Sequence, residues 1–269
     1  MTQPDTRSYP AWRAAARDIC REAGAMLGAS RRDELQVSFK AGDEIVTNLD
    51  VTLERWIRKA IHDRFPAHRV AGEEEGLSGP DDGEVTWYID PIDGTRNFAQ
   101  GIPYYNISLG ACEREVPVAG AVHDVLHGKI YSAQRGGGAD CNQRAIHVED
   151  RSKLDAAILL VDYHSADVGR LDPPQLQRLF RDIRKIRMLG AVALDLCLVA
   201  AGNADLLLGL SAARYKRMDL AAGWLILTEA GGVIEDLSGQ PFTWSSPTLV
   251  AGNSELVRKL QSEFADILQ

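Results

Sequence analysis

Cysteine is scarce and scattered in this chain. The four residues, Cys20, Cys112, Cys141 and Cys197, form no Cys-x-x-Cys pair. That spacing argues against a zinc site or a disulfide framework and leaves reduced, buried thiols as the expectation. Long apolar runs are missing too. Stretches such as Leu206-Leu207-Leu208 fall far short of the roughly 20 residues that span a bilayer. Residues 1–10 are polar and lack the apolar core of a secretory signal, so a soluble, cytoplasmic protein is expected. Positive charge is in deficit, with 30 Lys and Arg against 38 Asp and Glu, a net −8. This balance speaks against broad binding to nucleic acid or to an anionic membrane. The six histidines show no ligand-like pairing on a helix. His123 and His127 fall in an expected strand and turn and read as structural or exposed.

What is present fits a globular protein. The chain is 45% apolar and 25% charged over 269 residues, enough for one large domain or two lobes sharing a core. Trp12, Ala16, Ile19, Ala23, Met26 and Leu27 recur at helical spacing, so a helix is expected over residues 11–30. Short strands at 37–40 and 45–47 flank a turn at Gly42-Asp43. Leu53, Trp56, Ile57, Ala60, Ile61 and Phe65 mark a second helix, capped by Asn48 or Asp50 and ended by Pro66. From residue 70 the period changes. A strand is expected at 85–89, followed by strands at 106–113, 116–124 and 129–134, these three mostly antiparallel because their connections are short. The polar, Gly-rich stretch 135–150 suggests a boundary between an N-terminal lobe, 1–150, and a C-terminal one, 151–269. In the second lobe strands near 156–162, 185–189, 204–210, 233–236 and 249–251 alternate with helices near 174–182, 191–201, 219–230 and 254–268. A mixed α/β chain in layered sheets follows.

Three acidic segments stand out. In Asp90-Pro91-Ile92-Asp93-Gly94-Thr95, the Asp, Pro and Gly residues all suit a plain turn. A strand ending at Ile89 would instead present Asp90 at its carboxyl end, where sites collect in α/β sheets. The turn would bring Asp93 beside it and expose the Ile92 carbonyl. Two carboxylates and a carbonyl form a hard, all-oxygen set suited to Mg²⁺, with the Thr95 hydroxyl placed to orient a water. Glu73-Glu74-Glu75 reads most simply as a solvated loop, yet it follows Val70-Ala71 and a glycine that permits a sharp strand exit. Asp219 reads as an ordinary N-cap, but Leu220-Ala221-Ala222-Gly223 would let its helix pack closely and leave its N-terminus open to an anion.

Together, Gly72-Glu73-Glu74, Asp90 through Phe98, and Asp219 through Gly232 resemble the inositol monophosphatase family in order and spacing. The resemblance runs from the first helix to near the C-terminus. It implies a layered α-β-α-β-α sandwich like that of inositol monophosphatase and fructose bisphosphatase, a homodimer, and lithium-sensitive hydrolysis of a small phosphomonoester. It implies two or three Mg²⁺ ions held by Glu73, Asp90, Asp93, Asp219 and the Ile92 carbonyl. Asp50 would act with Thr95 on the attacking water, Glu74 would lie near the metals, and the Gly94 and Thr95 amides would contact phosphate. Such a site explains how an acidic protein handles an anion, because bound metal reverses the local sign.

The substrate region departs from the family pattern. Gly190, Ala191 and Val192 match the segment lining the alcohol pocket. Gly209 stands where the family often carries a glutamate that binds inositol hydroxyls. Met218 replaces a common tryptophan, and the stretch before Asp219 is longer and brings Arg214, Lys216 and Arg217. These cations either face solvent or favour a second anionic group on the substrate. Inositol 1-phosphate, fructose 1,6-bisphosphate, 3′-phosphoadenosine 5′-phosphate and histidinol phosphate remain open as substrates. A non-catalytic binding or regulatory protein on the same fold is the competing class. Gly136-Gly137-Gly138 lacks the Lys-Ser/Thr of a phosphate loop and reads as a turn.

Overall fold

An apolar stripe of Trp12, Ala16, Ile19, Ala23 and Leu27 buries one face of the first helix, α1 (Tyr9–Ala29), which opens on Pro10. The computed structural model describes residues 8–30, 34–39, 44–163, 173–183 and 185–264. Strands β1 (Val37–Phe39) and β2 (Ile45–Thr47) pair antiparallel, while the turn expected at Gly42-Asp43 lies outside the described residues. Helix α2 (Asn48–Arg64) buries Leu53, Ile57 and Ile61. Its cap differs from both expected residues. Thr47 is the N-cap, its hydroxyl accepting from the Leu49 and Asp50 amides, while the Asp50 carboxylate accepts from the Thr47 N–H. Thr47 wins because this reciprocal capping box satisfies several otherwise unpaired amide donors.

The chain then builds β3 (Arg69–Gly72), β4 (Gly76–Ser78), β5 (Val85–Asp93), a short helix α3 (Thr95–Gln100), β6 (Asn106–Glu113), β7 (Val116–Asp124), β8 (Lys129–Gln134), β9 (Ala139–Cys141) and β10 (Arg144–Ala145). These strands form one sheet in the order β10-β9-β8-β7-β6-β5-β3-β4. The meander from β6 to β8 is antiparallel, as its short connections predict; β5 pairs antiparallel with β6, and β3 lies parallel to β5. A second sheet, β12-β11-β13-β15-β14, uses β11 (Ile158–Asp162), β12 (Lys185–Arg187), β13 (Leu206–Gly209), β14 (Val233–Glu235) and β15 (Leu249–Gly252). Between its strands come α4 (Pro173–Asp182), α5 (Val192–Ala200) and α6 (Arg217–Glu229), and α7 (Ser254–Phe264) follows.

Three apolar cores define the layers. Helices α1 and α2 pack on one face of the first sheet through Ile19, Ile57, Trp87 and Leu109. Helices α5 and α6 lie between the sheets, where Leu196 and Ile226 meet Val122, Tyr131, Leu207 and Ala251. Helices α4 and α7 cover the far side of the second sheet through Leu179, Leu260 and Phe264. The result is the layered α-β-α-β-α sandwich that the motifs imply. Glycine sets one approach between layers. A Cβ on Gly110 of β6 would come within 2.8 Å of the Ala221 Cβ and 2.9 Å of the Ala222 amide nitrogen. The small residues after Asp219 therefore let α6 settle against the first sheet, bringing Asp219 toward Asp90.

Three cysteines are buried and Cys141 is partly so, all with free thiols. Among the described residues no helix is long and apolar enough to cross a membrane. His123 Nδ1 donates to the Cys20 carbonyl at 2.8 Å, and His127 pairs with Asp124. The Gly136 and Gly138 amides donate to Glu229.

Candidate active site

Strand β5 does not stop at Ile89. It runs through Asp93, with a register shift between Asp90, opposite Ser108, and Asp93, opposite Asn106. The expected turn is a bulged strand, because β6 continues to pair beyond the irregularity; such bulges re-aim side chains beside active sites. The Asp90 Oδ1 accepts from the Ile92 amide at 3.0 Å. The Asp93 Oδ2 accepts from Asn106 Nδ2 at 2.7 Å and from the Ala193 amide, at the start of α5, at 2.9 Å. Gly94 then takes φ 85°, and a Cβ there would meet the Ala191 Cβ at 3.1 Å and the Tyr104 carbonyl at 3.2 Å. Only glycine fits this left-handed, crowded corner.

The corner leads into α3, which was not expected from the sequence. Asn97 Nδ2 donates to the carbonyls of Tyr104 at 2.9 Å and Leu189 at 2.7 Å, tying α3 to the 189–191 loop. Thr95 Oγ1 donates to the Ile92 carbonyl at 2.8 Å and lies 3.3 Å from Asp50 Oδ1. The other Asp50 oxygen is held by the Thr47 amide and hydroxyl at 2.8 and 2.5 Å. The capping box of α2 thus aims one oxygen of Asp50 at Thr95.

Asp219 is not the cap of α6. The N-cap is Lys216, and Asp219 occupies the third helical position, its Oδ2 accepting from the Lys216 amide at 2.7 Å. The Lys216 ammonium reaches back across the cleft to Glu73 at 3.1 Å and Glu44 at 3.4 Å. Arg217 turns away instead, pairing with Glu115 and stacking over Trp244.

One cleft of about 360 Å³ gathers Glu73, Asp90, Ile92, Asp93, Gly94, Thr95, Gly190, Val192, Arg214, Lys216 and Asp219 on its lining. Three other expected residues stand outside that lining. Ala191 is buried against Gly94, Asp50 lies behind Thr95, and the Glu74 amide donates to Glu54. A cavity of about 390 Å³ beside Leu27, Phe98 and Ile102 is lined by no carboxylate, lysine, arginine or histidine. The buried carboxylates Asp90 and Asp93 line the first cleft and not this cavity.

Electrostatics show how unfavourable the bare acids are. Burial, then Glu73, Asp93 and Asp219, push the Asp90 carboxyl well above its ordinary range. Burial raises Asp93 to about 7 against the hydrogen bonds from Asn106 and Ala193. Burial likewise raises Asp219 to about 8, with Asp93 and Glu73 adding to it. Burial lifts Asp50 to about 6, opposed by Thr47 and aided by Glu74. Among the described residues, Asp90, Asp93 and Asp219 each give one carboxylate oxygen to the chain and keep the other without an intramolecular partner. No group of three His, Cys, Asp or Glu among those residues grips an ion without rearrangement. Yet a set of hard, mutually repelling oxygens is what a small dication relieves. The donor set fits Mg²⁺.

Sequence reasoning missed Glu54. Fully buried on α2, it accepts from the Glu74 amide at 2.7 Å, the Glu75 amide at 2.9 Å and Arg58 at 2.8 Å. A Cβ on Gly72 would sit 2.2 Å from its carboxylate. The signal was the glycine before the acids, read as a strand exit when it is also clearance for a side chain.

Five alternating layers around an acidic, all-oxygen cleft at a bulged strand define a class of phosphatase fold. The chain belongs to the inositol monophosphatase family, whose sequence profile matches residues 10–269. It is 34% identical over 253 residues to Nus factor SuhB of Pasteurella multocida, covering 92% of this chain and 93% of that one. It is 31% identical over 252 residues to inositol monophosphatase 1 of Homo sapiens, covering 89% and 88%. The structure of inositol monophosphatase from Anabaena superimposes with a TM-score of 0.83 at 26% identity over 96% of each chain. These relatives support phosphatase activity.

Proposed function

We propose that this chain hydrolyses a small-molecule phosphomonoester, inositol-1-phosphatase-like, with Mg²⁺ as cofactor. The observation that carries the reading is the convergence of Glu73, Asp90, Asp93 and Asp219 on one cleft beside the Thr95–Asp50 pair. Those four carboxylates and the Ile92 carbonyl would hold two or three ions. When bound, the metal cancels charge on the transferring phosphoryl group and makes a coordinated water more acidic.

The chain's own groups do the positioning. The Thr95 hydroxyl, donating to the Ile92 carbonyl and neighbouring Asp50, can accept a hydrogen bond from the attacking water. With its pKa near 6, Asp50 is mostly ionised at neutral pH and basic enough to take the Thr95 hydroxyl proton once that hydroxyl turns from the Ile92 carbonyl to Asp50, the water's proton passing to Thr95 in its place. Glu74 keeps that basicity up by its charge. The Gly94 and Thr95 amides would hold phosphate oxygens, and Gly190, Ala191 and Val192 would shape the alcohol side. Lithium inhibition and a homodimer belong to the same reading by family resemblance, and a cytoplasmic location is part of the same proposal.

A regulatory binding role is the second reading, favoured by the factor name of the Pasteurella multocida relative. Catalysis accounts better for the cluster, since mutually repelling buried acids destabilise a fold that has no ligand for them. The test is phosphate release from inositol 1-phosphate, fructose 1,6-bisphosphate, 3′-phosphoadenosine 5′-phosphate and histidinol phosphate, with Mg²⁺, EDTA or added Li⁺. Mg²⁺-dependent release is expected, and Asp93→Asn should lower it beyond the roughly 10–100-fold typical of lost outer-shell partners. No release from any of the four would move the binding role to the front.

A further inference from the structure

The alcohol side of the cleft is built differently from its acidic floor. Asp162, at the end of β11, is paired in register with Gly209, at the end of β13. Over them lies Tyr215, whose phenol donates to Asp162 Oδ2 at 2.6 Å. A Cβ on Gly209 would come within 2.6 Å of that phenol oxygen, so the glycine is what lets the ring lie flat on the strand end. The lock engages the strand-end carboxylate with an internal donor and presents an aromatic wall to the cleft. It also fixes the turn before it. The Tyr215 amide donates to the Ala212 carbonyl, the Arg214 amide to Ser211, and the Ala212 amide to Pro247.

This anchored turn sets Arg214 on the cleft lining. The neighbouring cations are engaged, Lys216 by Glu73 and Glu44, and Arg217 by Glu115. Among the described residues Arg214 has no side-chain hydrogen bond or ion pair. A planar guanidinium on a wall with Tyr215 matches a carboxylate or a phosphate, not a ring of hydroxyls. We propose that Arg214, held by the Tyr215–Gly209–Asp162 lock, forms a subsite for a second anionic group on the substrate's alcohol portion. The substrate class is then a phosphomonoester bearing a further phosphate or carboxylate. This inference rests on the phosphatase reading above.

The experiment compares kcat/KM for inositol 1-phosphate, fructose 1,6-bisphosphate and 3-phosphoglycerate, with Mg²⁺, in wild type, Arg214→Gln and Arg214→Lys. Wild type should favour one or both of the doubly anionic substrates. Arg214→Gln should reduce that preference about tenfold, mainly through KM, as expected for one lost charge-assisted contact. Arg214→Lys should restore part of it. A wild type that prefers inositol 1-phosphate, or a preference unmoved by Arg214→Gln, overturns the subsite while leaving the phosphatase intact. Release from none of the three, nor from the other phosphomonoesters named above, overturns the phosphatase reading and the subsite with it.

Discussion

Replacing Lys216 with methionine keeps the aliphatic stem and removes a fixed cation from the mouth of the acid cluster. The ammonium lies 3.1 Å from Glu73 Oε1. A Mg²⁺–oxygen bond of about 2.1 Å added to that distance keeps it within roughly 5 Å of an ion held by Glu73. Even at the dielectric constant of bulk water, a unit charge about 5 Å from a dication opposes it by about 1.7 kcal/mol. The Lys216 side chain is 43% exposed, so side-chain freedom and salt reduce this to about 1 kcal/mol. That corresponds to ~5-fold in dissociation constant. Isothermal titration of Mg²⁺ should therefore show ~5-fold tighter binding to Lys216→Met than to wild type, with the gap narrowing as salt rises. Equal or weaker binding to the variant would refute the reasoning and make Lys216 an organiser of the acids, not a competitor for them.

Glu54 lies behind the same acids. Glu54→Ala leaves the Glu74 and Glu75 amides without their acceptor, while Arg58 keeps the Val70 carbonyl, Ser78 and Glu75, so chemical denaturation should show a loss of about 2–4 kcal/mol, with Glu54→Gln losing less. Little change in either would mean that the 73–75 turn is held by other contacts. The metal-free protein should also lose stability as pH rises. Asp50, Asp93 and Asp219 have folded pKa values near 6, 7 and 8, against about 3.9 for an unfolded aspartate. Between about pH 4 and 8 the folded chain therefore holds more protons than the unfolded one, so its advantage is present in acid and fades with rising pH. Tm in EDTA should fall across that window, and excess Mg²⁺ should reduce the fall; a flat or rising Tm in EDTA would show that these acids are not buried together.

What the sequence reveals and what it hides follow from the range of each interaction. Strands β6, β7 and β8 were legible to the residue because their apolar alternation and short turns are local signals. The acids were legible because Asp90, Asp93 and Thr95 fall within six residues. The same dense turn chemistry concealed the bulge and α3, since pairing with Asn106 decides that Asp93 belongs to the strand. Glu54 reads as one more polar residue on an amphipathic helix, and only Gly72, a strand away, reveals that it points inward. Tyr215 likewise gains its place from Gly209 and Asp162, neither of which is its neighbour in sequence. These hidden residues are supports for the visible ones. Asp50 and Glu54 lie one turn apart on α2, so a single rigid element aims a carboxylate at Thr95 and grips the turn that carries Glu73. A helix that appears from its stripe to serve only the core therefore also sets the distance between two of the acidic segments. That explains why it begins with a capping box firm enough to hold Asp50 in one orientation.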